Sequence, residues 1–512
     1  MSRMKTRPKC LLALGSGLGL AAILPAAQAF AAASINKGDT TWMLIATALV
    51  VLMTVPGLAL FYGGLVRSKN VLSVLMQVTL CFCLIAILWV VYGYSLAFTN
   101  GSGATAGFIG GFSKLFLTGV NTGTMAATFS KETYIPEYAY VIFQLTFAAI
   151  TPALIIGAFA ERMKFSAVIL FLVIWFTFSY LPMAHMVWWW AGPDAYTLSA
   201  ANIDMVKAAV GDSAATDFLA RLAAAATDTD KATILADYGT AVNATNGYLF
   251  NKGAIDFAGG SVVHINAGVA GLVCALMLGK RVGLNKEPMA PHNLTVTLLG
   301  TGLLMFGWFG FNAGSNLESN GLTALVLLNS ILGAAGAMLA WVAGEYVLRG
   351  HASLLGGASG IVAGLVAITP ACGWVGPVGA IAIGLLAGII CLLAVIWLKA
   401  KIGYDDALDV FGVHGIGGIL GALLTGIFVN PGLNGTGVTD YLAADTSTKI
   451  VDYVFSAQMW AQVQDILVAV LLSAVVSYIA LLICKVTVGL RVNEQEEREG
   501  LDIVSHGERA YS

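Results

Sequence analysis

Eleven apolar stretches, each long enough or nearly long enough to cross a bilayer, set the terms for any fold this chain can adopt. They run over roughly 42–65, 71–98, 139–159, 165–190, 255–278, 293–313, 322–347, 353–370, 374–398, 412–429 and 459–484. In lipid every backbone N–H and C=O must be satisfied inside the protein, which leaves helices or closed barrels. Runs of this length read as helices, because barrel strands need only about 9–11 residues. The expected fold is therefore an all-α polytopic membrane protein with eleven transmembrane helices. Composition agrees: 11% of residues are charged, against about 25% in a soluble domain. The 59 glycines suit close helix contact in lipid. A net charge of −2 argues against nucleic acid as a partner and leaves membrane lipids as the surroundings.

The connections are asymmetric. Short ones on one side carry Arg67 and Lys69, Arg162 and Lys164, Lys280, Arg281 and Lys286, Arg349, and Lys399 and Lys401. Short ones on the other side, near 314–321 and 370–373, carry no Lys or Arg. The positive-inside rule puts the first set in the cytoplasm, so eleven spans leave the N-terminus outside and the C-terminus inside. Residues 1–31 agree independently. Arg3, Lys5, Arg7 and Lys9 precede an apolar run from Leu11 to Leu24 and A-x-A sites at 27–31, which reads as a cleaved signal peptide, with a retained first helix as the alternative. Three loops on the outer side are long, and the stretch Ala200 to Ala241 has helical apolar spacing at Phe218, Leu219 and Leu222. It reads as an external helical excursion that caps or packs.

Two histidines lie deep in apolar runs within the same pattern. His264 follows Val263 and precedes Gly268 and Gly271; His414 follows Val413 and precedes Gly418 and Gly421. The glycines at +4 and +7 fall near the histidine's own helix face and permit close packing there. An ionisable residue inside the membrane marks a functional site by default. The histidines occupy the fifth members of two five-span sets, 41–278 (with the external insertion at about 191–252) and 293–429, followed by an eleventh helix over 459–484 and a tail over 485–512. An odd number of spans per repeat forces opposite orientation, so an inverted five-helix repeat should bring the two histidines together mid-membrane. Ala-Ile-Thr-Pro-Ala, at 149–153 and again at 367–371, echoes the repeat in the third and eighth spans.

Asp256 opens the fifth span, where a carboxylate caps free amides and also supplies negative potential for a cation. Asp409 holds the corresponding place before His414, preceded by Asp405 and Asp406. Phe143 and Phe147 share one face of the third span, Trp188 ends the fourth, and Trp308 and Phe311 lie three apart in the sixth. Such faces hold a cation by about 0.5–2 kcal/mol; the alternative is an interfacial belt, the better reading for Trp189 and Trp190. No further His, Cys or Glu stands at ligand spacing, so no metal site is expected. No phosphate-binding loop is present, so ATP-driven pumping is not expected. No cofactor is implied. The seven cysteines form no CxxC pair, and most read as small buried hydrophobes. His185, His292, His351 and His506 read as structural or solvated.

The stretches Asp256-Phe-Ala-Gly-Gly-Ser-Val-Val-His264-Ile-Asn-Ala-Gly, Gly307-Trp-Phe-Gly-Phe-Asn-Ala-Gly-Ser315, Thr369-Pro-Ala-Cys-Gly373 and Asp409-Val-Phe-Gly-Val-His-Gly415 resemble the bacterial branch of the Amt/Rh ammonium transporter family, from about Thr41 through Asn493-Glu-Gln-Glu-Glu-Arg-Glu-Gly-Leu-Asp502. The resemblance implies a non-enzymatic homotrimer in the plasma (inner) membrane, each protomer with its own pore. By position it implies Phe143, Trp188 and Ser315 at an outer ammonium site, with Asp256 stabilising that site from behind. Phe147 and Phe311 become a stacked pair closing the pore mouth, and His264, His414 and Trp308 line the pore. It further implies a PII-type nitrogen-signalling protein docking at the cytoplasmic face, where the tail's acidic run Glu494 to Glu499 otherwise reads as a solvated end. The expected function is recruitment of ammonium, its deprotonation and conduction of ammonia, with net proton or charge movement. A neutral Rh-like gas channel and a membrane ammonium sensor stand as alternatives.

Overall fold

The computed structural model describes residues 35–441 and 449–511, so the proposed signal peptide at 1–31 lies outside the described residues. Among the described residues ten helices are long and apolar enough to cross a bilayer, and an eleventh is apolar but shorter. In chain order they are span 1 (Lys37–Leu65), 2 (Ser68–Ala97), 3 (Glu137–Phe159), 4 (Phe165–Trp188), 5 (Gly260–Leu278), 6 (Leu294–Gly314), 7 (Gly321–Arg349), 8 (Leu354–Ile368), 9 (Pro377–Ile402), 10 (Phe411–Phe428) and 11 (Phe455–Thr487). They coincide with the eleven expected stretches. Span 8 is the short one because both ends are fixed. The Ser353 hydroxyl accepts from Gly356 N at 2.9 Å, and Pro370 offers no N–H to continue the ladder.

Spans 5 and 10 meet as the repeated glycines require. A Cβ at Gly268 would collide with the main chain of Gly415, and one at Gly418 would sit 3.1 Å from Ile265 N. Gly268 lies four residues past its histidine and meets the position one past the other; Gly418 does the reverse. The summed offset is the same in both contacts. Antiparallel helices related by a two-fold axis give that result, and parallel ones do not. The echo extends to the neighbours: Gly271 packs on Ala158 of span 3, and Gly421 on Ala367 of span 8.

The long connections 2–3, 4–5 and 10–11 share one end of the bundle. Within the 4–5 connection, helices Ile203–Val210, Asp212–Ala224 and Asp228–Asn243 form the expected excursion. Val206, Phe218, Tyr238 and Val242 give it a core of its own. It is tied to the bundle by Tyr134, whose hydroxyl donates to Asp194 Oδ2 at 2.6 Å, and by Asn100, whose amide donates to Ala208 O at 2.9 Å.

The opposite end is held by buried charge. Arg281 bridges Glu161 at 3.2 Å and Asp405 at 2.9 Å, and Arg67 joins Glu161 at 2.8 Å. Burial pushes the Glu161 carboxyl up, but Arg281 and Arg67 outweigh it and hold it below the usual carboxylate range. Asp405 is likewise lowered by Arg281 against its burial. Both carboxylates therefore stabilise the fold at neutral pH, and that stabilisation is lost as pH falls through their lowered values. Arg281→Met leaves two buried carboxylates without their shared partner and should cost about 3–5 kcal/mol. Thermal unfolding in detergent should show a clear loss at pH 7 that narrows in acid; an unchanged transition would contradict it.

The tail is not a solvated end. Asn493 and Glu496 form a capping box that turns the acidic run into a helix, Glu494–Glu499. Glu497 is buried, accepting from Arg491 at 2.7 Å and from Val282 N at 2.7 Å. A second helix, Leu501–His506, follows: Leu501 N donates to Asn70 Oδ1 and Ser73 N to Asp502 Oδ1, both at 2.8 Å. Contacts from the 5–6 connection and the start of span 2, invisible in a local reading, turn a polar run into a packed element.

Candidate functional site

Span 5 begins at Gly260 rather than near 255 because the preceding residues build a cap. Asp256 Oδ1 accepts from Gly259 N at 2.8 Å and Gly260 N at 2.5 Å. Its Oδ2 accepts from Ser261 N (2.8 Å), Ser261 Oγ (2.7 Å) and Val262 N (3.2 Å). Four amides and one hydroxyl thus converge on one carboxylate at a helix N-terminus, the arrangement that favours an anion most strongly. Its main-chain oxygen accepts from Trp188 Nε1 at 3.0 Å, which fixes the indole beside it.

A cavity of about 570 Å³ opens above this cap. Trp188, Ser315, Asp256 and Phe147 line it. The Ser315 hydroxyl, just past the end of span 6, donates to Phe311 O at 2.8 Å. Below the cavity the rings follow one another. Trp188 meets Phe147 edge-on at 5.7 Å; Phe147 stacks on Phe311 at 4.1 Å and 27°; Phe311 lies 6.1 Å from His264. His264 and His414 rings are 5.2 Å apart, with their Nδ1 atoms 3.2 Å from each other. Trp308 stacks beside His264 at 5.4 Å, anchored by its Nε1 donating to Thr369 Oγ1 at 2.9 Å. Both histidines are buried, and among the described residues His264 Nε2 has no hydrogen-bond partner.

Three expectations change. Phe143 does not line the cavity: its ring packs against Phe147 at 5.0 Å and fills the space left by Gly314. Tyr140 and Gln144 line it instead. Gln144 was findable as an isolated amide in an apolar span, and among the described residues its buried Oε1 lacks a hydrogen-bond partner. Second, Asp409 does not cap span 10 as Asp256 caps span 5. It pairs with Lys399 at 2.6 Å, while Asp406 Oδ2 accepts from Phe411 N at 2.7 Å. Asp406 stands eight residues before His414, as Asp256 stands eight before His264. Burial pushes its carboxyl up to about 6. Third, Trp190 belongs to the cavity wall rather than to an interfacial belt, stacked on Phe129 at 5.8 Å and Phe250 at 5.5 Å and tilted against Tyr441 at 4.9 Å.

The sequence profile of the Ammonium Transporter Family matches residues 41–511. The chain belongs to that family. It is 41% identical over 481 residues to an ammonium transporter of Aquifex aeolicus, an alignment covering 94% of this chain and 95% of the relative. It is 39% identical over 477 residues to one of Bacillus subtilis, covering 93% and 99%. Among solved structures it resembles a sensor Amt protein, with a TM-score of 0.70, 26% identity and 92% and 98% of the two chains covered. It also resembles Saccharomyces cerevisiae Mep2, with a TM-score of 0.70, 30% identity and 90% and 91% covered. This ammonium transporter is thus a multi-pass membrane protein and not an enzyme. Among its described residues no group of three or more His, Cys, Asp or Glu side chains is placed to hold a metal ion.

Proposed function

We propose that this transporter recruits ammonium at Trp188, Ser315 and the neighbouring aromatic faces, removes its proton, and passes ammonia between His264 and His414. The observation that carries this reading is the unbroken run of rings from Trp188 through Phe147 and Phe311 to the paired imidazoles. The apolar lining makes a charged ammonium expensive inside and neutral ammonia cheap. Potassium has no proton to lose and stays out. Asp256 contributes the negative potential without touching the cation. Phe143 supports Phe147 from behind and contributes to the outer site through that ring. Phe147 and Phe311 form the gate. The two facing Nδ1 atoms hold one proton between them, which gives the released proton a route and the transport a net charge. The names of the relatives favour transport over the sensor reading.

Trp188→Leu removes the face that distinguishes the bare cation from a methylated one. Uptake assays should show the preference for ammonium over methylammonium fall about tenfold, within the range of one cation–π contact. Unaltered discrimination and affinity would remove Trp188 from the site.

We place the cavity end outside and the tail in the cytoplasm, in a homotrimer of the inner membrane, with residues 1–31 as a signal peptide. Three protomers present a three-fold platform at the tail side, geometrically suited to a trimeric PII-type partner. The docked helices Glu494–Glu499 and Leu501–His506 give it a preformed surface. A pull-down with the host's PII protein should capture it in a manner switched by ADP and 2-oxoglutarate. No capture under any nucleotide condition would confine the tail to the bundle.

A further inference from the structure

Span 11 turns a stripe of small and polar residues inward: Gln462, Asp465, Ala469, Ser473 and Ser477 are all buried. Two of these side chains, Gln462 and Ser473, hydrogen-bond to span 5 and its lead-in. Gln462 accepts from Ile255 N at 2.7 Å and donates to Ile255 O at 2.9 Å. Ser473 donates to Asn266 O at 2.6 Å. Asp465 lies between these anchors, fully buried, and faces Asp256 and Ser261. Among the described residues neither of its carboxyl oxygens has a hydrogen-bond partner.

The two carboxyls have opposite surroundings. Asp256 is saturated by four amides and the Ser261 hydroxyl, a setting for an anion. Among the described residues no main-chain amide donates to Asp465. As an anion it would be a second buried charge beside the first, a cost of several kcal/mol. As a neutral acid it removes that repulsion and gains an O–H. Ser261 spends its only hydroxyl hydrogen on Asp256 at 2.7 Å, so its oxygen can only accept. We propose that Asp465 is a protonated acid that donates to Ser261 Oγ, completing a chain from Asp465 through Ser261 to Asp256 that fixes the anion behind the outer site. Asp465 is then a positioning residue: it touches no substrate, and the pair carries one negative charge, not two.

The proposal takes from the preceding reading only the role of Asp256 behind the outer site, and the first arm of its test does not depend on transport. The full-length protein in lipid should give, in the infrared difference between wild type and Asp465→Asn at neutral pH, the carbonyl band of a protonated carboxylic acid. Ser261→Ala should shift that band. No difference band, or a band that persists in Asp465→Asn, places the proton elsewhere and overturns the proposal. In the second arm Asp465→Asn, the neutral isostere that still donates, should hold the half-saturating ammonium concentration near that of wild type. Asp465→Leu should raise it about tenfold, the loss of one hydrogen bond to a charged network. Equal behaviour of the Asn and Leu variants contradicts positioning. If the Leu variant fails to assemble, the infrared arm and the Asn variant still decide.

Discussion

His264→Leu, and equally His414→Leu, should lower ammonium-evoked current by about a hundredfold or more, the scale of a lost proton-transfer group. The expectation follows from two Nδ1 atoms at 3.2 Å, a separation that one shared hydrogen bridges and two would not fit. Leucine approximates the ring's volume and keeps the apolar lining, but it carries no proton and offers no acceptor. The repeat makes the two substitutions equivalent in kind: each histidine stands one residue before the close approach of spans 5 and 10, at Ile265 and Gly415. Current and potassium conductance should be measured together on bilayers holding each variant. Undiminished ammonium current with undiminished potassium exclusion would end the relay.

Asp256→Ala should abolish uptake while leaving an assembled protein. Four amides and a hydroxyl lose their acceptor in that variant, and each buried donor left unmade costs about 1–3 kcal/mol. The start of span 5 would loosen. Trp188, whose indole is tied to the Asp256 main chain at 3.0 Å, would lose its fixed place above Phe147. Potential and position fail together, so residual uptake should be below one-hundredth of wild type, within the scale of electrostatic losses at such sites. Near-normal uptake would contradict the role. Loss of the assembled protein would show that capping dominates. Asp256→Asn, which keeps one acceptor oxygen, should then recover assembly before it recovers transport.

The spans were readable because apolar length is a one-dimensional property, and eleven stretches became eleven helices in order. The histidine pair was readable because the repeat wrote the same glycines twice. What failed was choice among near neighbours. Three aspartates lie within nine residues before His414, and composition cannot say which folds onto the amides; the eight-residue offset from each histidine, shared by Asp256 and Asp406, was the available clue. Phe143 and Phe147 share a helix face, yet only Phe147 reaches the cavity, because Gly314 leaves room for Phe143 to turn away. The tail was misread for a different reason. Glu497 is polar in any local window, and its burial depends on Arg491 and on Val282 from a connection more than two hundred residues earlier. Asp465 was passed over although it is a charge in an apolar span, because its neighbours Ser261 and Asp256 come beside it only in the folded bundle.

Currents across a planar bilayer containing the purified protein, recorded on a step of ammonium and again on an equal step of potassium, bear most directly on how the substrate crosses. A saturable inward charge movement with ammonium, absent with potassium and lost in His264→Leu, is the expected result. Ammonia flux of normal size with no charge movement would contradict it and establish conduction of the neutral gas alone.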